Sequence, residues 1–166
     1  MNKDNISGRG SVIISTFFGA GYFPKIPGTI GTLIGFLLFF SLKGHMLLNS
    51  ICFFALGCAG FFASGRAEKI LNRKDPGCII IDEIAAVYLV FLFIDIPEKF
   101  FFAAVITGFI ANRFFDIYKP LGIRKLQHLN GSPGIMLDDI LAAVYSNIAV
   151  RVVLLLTVKL ASYKMI

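Results

Sequence analysis

Five carboxylates sit where an apolar chain rarely places them. Asp82-Glu83 follows Cys78-Ile79-Ile80-Ile81 and precedes Ile84-Ala85-Ala86-Val87, and Asp138-Asp139 lies between Ile135-Met136-Leu137 and Ile140-Leu141-Ala142-Ala143. Neither pair has a solvated neighbourhood in sequence, so each is costly unless something neutralises it. Adjacent helical residues point about 100° apart, so one member of each pair can face a shared centre while its neighbour caps the helix or supports the first. Carboxylates that share a pocket repel, and a hard divalent cation relieves the repulsion. An oxygen-only ligand set favours Mg²⁺, with Mn²⁺ or Ca²⁺ as alternatives. Either pair alone reads equally well as helix caps and structural ion pairs. Both pairs together with the fifth carboxylate, Asp116, favour a metal.

Asp116 belongs to Asn112-Arg113-Phe114-Phe115-Asp116-Ile117-Tyr118-Lys119-Pro120. Arg113, Asp116 and Lys119 are three apart and form one helical stripe, and Pro120 ends that helix near Lys119. A carboxylate flanked by two cations suits a metal-bound phosphate, although it also describes an ordinary ion-paired helix end. The loop Gly19 to Gly28 is rich in Gly and Pro and carries Lys25; it delivers Thr29 to a helix start, where free N–H groups favour an anion. By local pattern alone Thr29 reads as an N-cap. The Walker order is missing, and neither a Ser-His-Asp nor a Cys-His system is visible, His45 and His128 being isolated. Cys52, Cys58 and Cys78 lack metal spacing and read as buried small hydrophobes.

These groups must be held by an unusual scaffold. Of 166 residues 57% are apolar and 16% charged, with a mean hydropathy of +0.79. That excludes disorder and argues against an ordinary soluble enzyme. The net charge of +6 points to anionic lipid or phosphate, and the apolar surface argues against nucleic acid. Five apolar segments run over 29–42, 46–64, 79–94, 100–112 and 135–160, too long and unalternating for strands. The reading is all-α: a compact helical membrane protein of about five apolar helices in one domain, residues 1–166. The second and fifth segments meet the span length of about 20 residues, and the others are short. Met1 to Phe23 has no clear small-x-small site, and no cleaved signal peptide is read.

In an alternating topology eleven Lys and Arg fall on the side of the N-terminus and four on the other, with Arg151 inside the fifth segment. The basic excess marks the cytoplasmic face. Thr29, Asp82, Glu83, Asp116, Asp138 and Asp139 then gather at the cytoplasmic ends of their segments, which makes them a site. Arg151 lies roughly 18 Å beyond Asp139 on a continuous helix and is read as snorkelling or paired.

Pro27-Gly28-Thr29-Ile30-Gly31-Thr32-Leu33, Ile81-Asp82-Glu83, Arg113 to Pro120, and Gly134-Ile135-Met136-Leu137-Asp138-Asp139 occur in this order. Together they resemble the signature blocks of the phosphatidylglycerophosphatase A family, from about Gly19 to about Val144. Thr32 stands where the family usually has Ser, and Ala85-Ala86 where it has glycine. The resemblance implies a Mg²⁺-dependent phosphatase that converts phosphatidylglycerophosphate to phosphatidylglycerol, in the bacterial inner membrane. It carries the acidic, catalytic and metal-holding roles onto Asp82, Glu83, Asp116, Asp138 and Asp139. Thr29, Arg113 and Lys119, with Lys25, are the expected substrate-binding groups. The alternative is a small membrane cation transporter that uses the acidic cluster as an ion site.

Overall fold

A computed structural model describes residues 3–163, with side chains from residue 8. It is all-helical: α1 (Lys3–Ser15), α2 (Pro27–Ser41), α3 (Met46–Leu71), α4 (Ile81–Phe91), α5 (Phe101–Tyr118), α6 (Ile123–Gln127) and α7 (Ser132–Tyr163), with short 3₁₀ turns at Ala20–Tyr22 and Glu98–Phe100. Among the described residues three stretches are long and apolar enough to cross a membrane, Met46–Leu71, Glu98–Tyr118 and Ser132–Tyr163, and Pro27–Ser41 is a shorter apolar helix. The chain is a membrane-spanning helical bundle. Large apolar residues cover its outside, among them Leu37, Phe54, Phe102, Ile110 and Leu155.

Of the five expected apolar helices, three are of spanning length among the described residues, or four with α2 counted; the fourth segment, read as short, extends over Glu98–Tyr118, and the third, over 79–94, falls out. Only Ile81–Phe91 is helical there, about 16 Å of rise, half a bilayer core. Ile81, Ile84, Ala85, Ala86, Val87, Tyr88, Val90 and Phe91 are all buried, because α4 is the centre of the bundle, with α2, α3 and α7 packed round it. A helix apolar on every side is either a span or a core, and this one is a core. Phe36 and Phe39 of α2 close on it, with ring centroids 5.3 Å for Phe36–Phe91 and 5.6 Å for Phe39–Tyr88.

The α2–α4 contact depends on a glycine stripe. A Cβ on Gly28, Gly31 or Gly35 would come within 2.6 Å of Glu83 Oε1, 3.0 Å of Ile80 Cβ and 2.8 Å of Val87 Cβ respectively. Small residues three and four apart let the two backbones approach, and so bring the first turn of α2 against the acidic start of α4.

The remaining elements end where their sequences dictate. Asn72 closes α3 and Lys119 closes α5, both with positive φ, the latter one residue before Pro120 as its spacing predicts. The cysteines depart from expectation: Cys58 is exposed, and Cys52 and Cys78 are only half-buried.

Candidate active site

Three helices converge on one acidic cavity. Asp82 and Glu83 occupy the first turn of α4, where a helix N-terminus favours negative charge. Asp138 and Asp139 lie in the second turn of α7, which begins at Ser132; the longer helix removes the capping role that sequence allowed them. Asp116 stands near the end of α5. Asp82, Asp138 and Asp139 are buried. One carboxylate oxygen each from Asp82, Glu83 and Asp139 lie within 4.8 Å of one another. The cavity they share with Asp116, Asp138 and Lys119 holds about 220 Å³.

The cations are placed by the α5 stripe. Arg113 donates to Asp116 Oδ2 at 3.0 Å, Lys119 Nζ lies 3.3 Å from Asp116 Oδ1, and Lys119 also donates to Asp138 Oδ2. Asp116 thus orients both cations, and Lys119 bridges α5 to α7. Burial works against the Lys119 charge, but Asp139, Asp138 and Asp116 outweigh it and hold the ammonium above the usual lysine range. Arg113 reaches the start of α2 as well, since a Cβ on Gly28 would stand 3.3 Å from its Nη1 and 2.6 Å from Glu83 Oε1.

Whether the cluster suits a cation can be judged from its oxygens. Asp82 Oδ1 accepts the backbone N–H of Glu83 at 3.0 Å. Glu83 Oε2 and Asp138 Oδ1 are buried without a hydrogen-bond partner among the described residues. Burial above all pushes the Glu83 carboxyl up to about 8; the Asp82 hydrogen bond lowers it, and Asp139 and Asp116 raise it. Buried carboxylates left unpaired are costly. A divalent ion among Asp82, Glu83 and Asp139 would satisfy all three, and the donor set is all oxygen, so the residues present fit a hard cation.

Residues 13–154 match the model of the family described as Phosphatidylglycerophosphatase A. The chain belongs to this family. It is 33% identical to a protein of Bacteroides thetaiotaomicron named "Putative phosphatidylinositol-3-phosphatase", covering 85% of this chain and 91% of that one. It is 32% identical to the phosphatidylglycerophosphatase A of Haemophilus influenzae, over 83% of this chain and 85% of the relative. With that of Escherichia coli it shares 29%, over 81% and 77%. No solved structure matches it significantly. As a phosphatidylglycerophosphatase A-type phosphatase the chain is a membrane hydrolase.

The family's motif blocks meet unevenly in space. Asp82, Glu83, Asp116, Lys119, Asp138 and Asp139 all line the cavity, and Arg113 joins them through Asp116. Thr29 and Lys25 do not line it. Thr29 is the third residue of α2, behind Ile26, and so is not the N-cap that its local pattern suggested. Lys25 is exposed in the preceding loop.

Sequence reasoning missed two polar side chains of the wall, Asp75 and Gln127. Gln127 Nε2 donates to Asp75 Oδ2 at 3.4 Å, and the Asp75 backbone N–H donates to Glu68 Oε1 at 3.0 Å. Asp75 has a φ of 44°, which is uncommon for a side-chain-bearing residue. Its only sequence signal was an acid held next to Pro76 in a basic loop.

Proposed function

We propose that this protein hydrolyses the terminal phosphomonoester of phosphatidylglycerophosphate, giving phosphatidylglycerol and phosphate, with Mg²⁺ held by Asp82, Glu83 and Asp139. The convergence of these three carboxylates beside the Arg113-Asp116-Lys119 stripe carries the reading. When bound, the ion supplies a Lewis acid for the phosphoryl group and a more acidic water. Lys119 and Arg113 hold phosphate oxygens and offset charge that shifts as the ester bond breaks. Asp116 keeps both cations in place. Asp138, the member of its pair turned towards Lys119, keeps one oxygen free of protein donors and takes a proton from the attacking water, and the departing lipid oxygen takes up a proton in turn to leave as the alcohol. Water, not a protein nucleophile, makes the attack. The family match favours this enzyme over the transporter that the acids alone would have allowed.

The relatives' names divide between two lipid phosphomonoesters, so substrate choice is the direct test. Purified protein in detergent with Mg²⁺ should release phosphate from phosphatidylglycerophosphate at least about tenfold faster than from phosphatidylinositol 3-phosphate. Preference for the inositol lipid would replace the substrate, and release from neither would remove the proposed reaction.

The cavity end of the bundle is proposed to face the cytoplasm of a bacterial inner membrane. The basic loops support this: Lys74 Nζ reaches His128 O at 3.3 Å, drawing the loops after α3 and α6 together beside the cavity. A cysteine at Arg73 should resist an impermeant thiol reagent in intact cells and react once the cells are opened. Labelling in intact cells would invert the orientation.

A further inference from the structure

The far end of α4 is held in an unusual way. A helix leaves its last carbonyls without partners, and the interior of a membrane bundle offers no water to take their place. α4 stops at Phe91, Leu92 turns extended, and Phe93 takes a φ of 57°. A single side chain of α7 covers the carbonyls left free: Asn147 Nδ2 donates towards Leu89 O at 3.0 Å, Val90 O at 3.0 Å and Leu92 O at 3.1 Å. Arg151, one turn further, donates through Nε to Asn147 Oδ1 at 2.8 Å and through Nη2 to Phe93 O at 2.7 Å. The amide of Asn147 is used on both sides, and a positive charge meets the negative end of the α4 dipole.

The register of this contact bears on the carboxylates. Asp82 of α4 meets Asp139 of α7, and eight residues later Val90 meets Asn147. Eight residues rise about 12 Å on either helix. The two helices therefore run parallel and in step, with the carboxylates at one end and the clamp at the other. A slip of α4 along α7 breaks both contacts together.

We propose that Asn147 and Arg151 are positioning residues, which set the axial register of α4 against α7 and so hold Asp82 and Glu83 at the right depth beside Asp139. This rests on the reading of those three carboxylates as a cation site. It gives Arg151 a role that neither its position in an apolar run nor its distance from the acids had suggested.

The test uses the full chain in detergent, with hydrogen exchange over residues 88–94 and Mn²⁺ titration followed by electron paramagnetic resonance. Asn147→Leu keeps the branched shape and removes the donors. It should speed exchange at the end of α4 and weaken Mn²⁺ binding by about tenfold or more, the scale of supporting residues around metals, and lower kcat with little change in lipid KM. Arg151→Leu should do the same to a smaller degree, and serves if Asn147→Leu does not fold; Arg151→Lys, which keeps a donor for Phe93 O, should recover most of the loss. Unchanged exchange in both Leu variants would overturn the clamp. Faster exchange with wild-type Mn²⁺ binding and kcat would overturn its positioning role. A wild-type protein that neither binds Mn²⁺ nor releases phosphate would count first against the metal-dependent reading, and the positioning role would fall with it.

Discussion

Asp139→Asn is expected to lower turnover by at least about a hundredfold while the protein stays folded. Supporting residues around metal sites cost about 10–100-fold when lost, and a direct ligand should cost no less. Asn is close to Asp in shape, so the packing of this buried position is kept; what is lost is charge. Asp139 shares a span of 4.8 Å with oxygens of Asp82 and Glu83. Three carboxyl groups that close disfavour one another's charge in the ion-free protein. Removing one should therefore leave its melting temperature unchanged or raise it. Asp82→Asn should behave alike. Phosphate release and thermal melts of both variants decide the matter: near-wild-type turnover in both would return the acids to a structural role, and a large drop in melting temperature would mean that their charges hold the fold together.

Chelation should have an effect as large and reversible. Exhaustive treatment with EDTA should abolish phosphate release, Mg²⁺ should restore it, and Mn²⁺ should substitute in part. An ion that binds only the folded protein also stabilises it, by about 2.7 kcal/mol at a concentration one hundred times its dissociation constant. Melting temperature should thus rise with added Mg²⁺ in the wild type and fail to rise in Asp139→Asn. Full activity after chelation would overturn the cation site.

The parts of this site that were legible in sequence were those in conflict with their surroundings. Asp82, Asp138 and their neighbours stand out because an apolar run offers them no solvent, and Arg113, Asp116 and Lys119 because their spacing gives them one face. Asp75 was not legible. An acid among Arg73, Lys74 and Pro76 conflicts with nothing, and only folding carries it to the wall beside Gln127. The 79–94 segment misled for a different reason: an apolar run records that a helix avoids water, and lipid and protein satisfy it equally. Its length of 11 residues, set by the break at Leu92 and Phe93, is a tertiary fact supported by Asn147 and Arg151. The glycines of α2 were visible as a motif, but the reason for them, close approach to Glu83 and Val87, required the partner helix.

The cations beside the cavity stand among exposed apolar side chains: on α5 and just after it, Phe114, Ile117, Tyr118 and Leu121 point outward around Asp116 and Lys119. On the proposed reading, a lipid can slide its headgroup past this rim while its acyl chains remain among their neighbours. The search for substrate is then confined to a plane. Encounter depends on how crowded the sheet is with substrate molecules, and diluting the surrounding solution leaves it untouched. Product departs the same way, already in place among the lipids it joins.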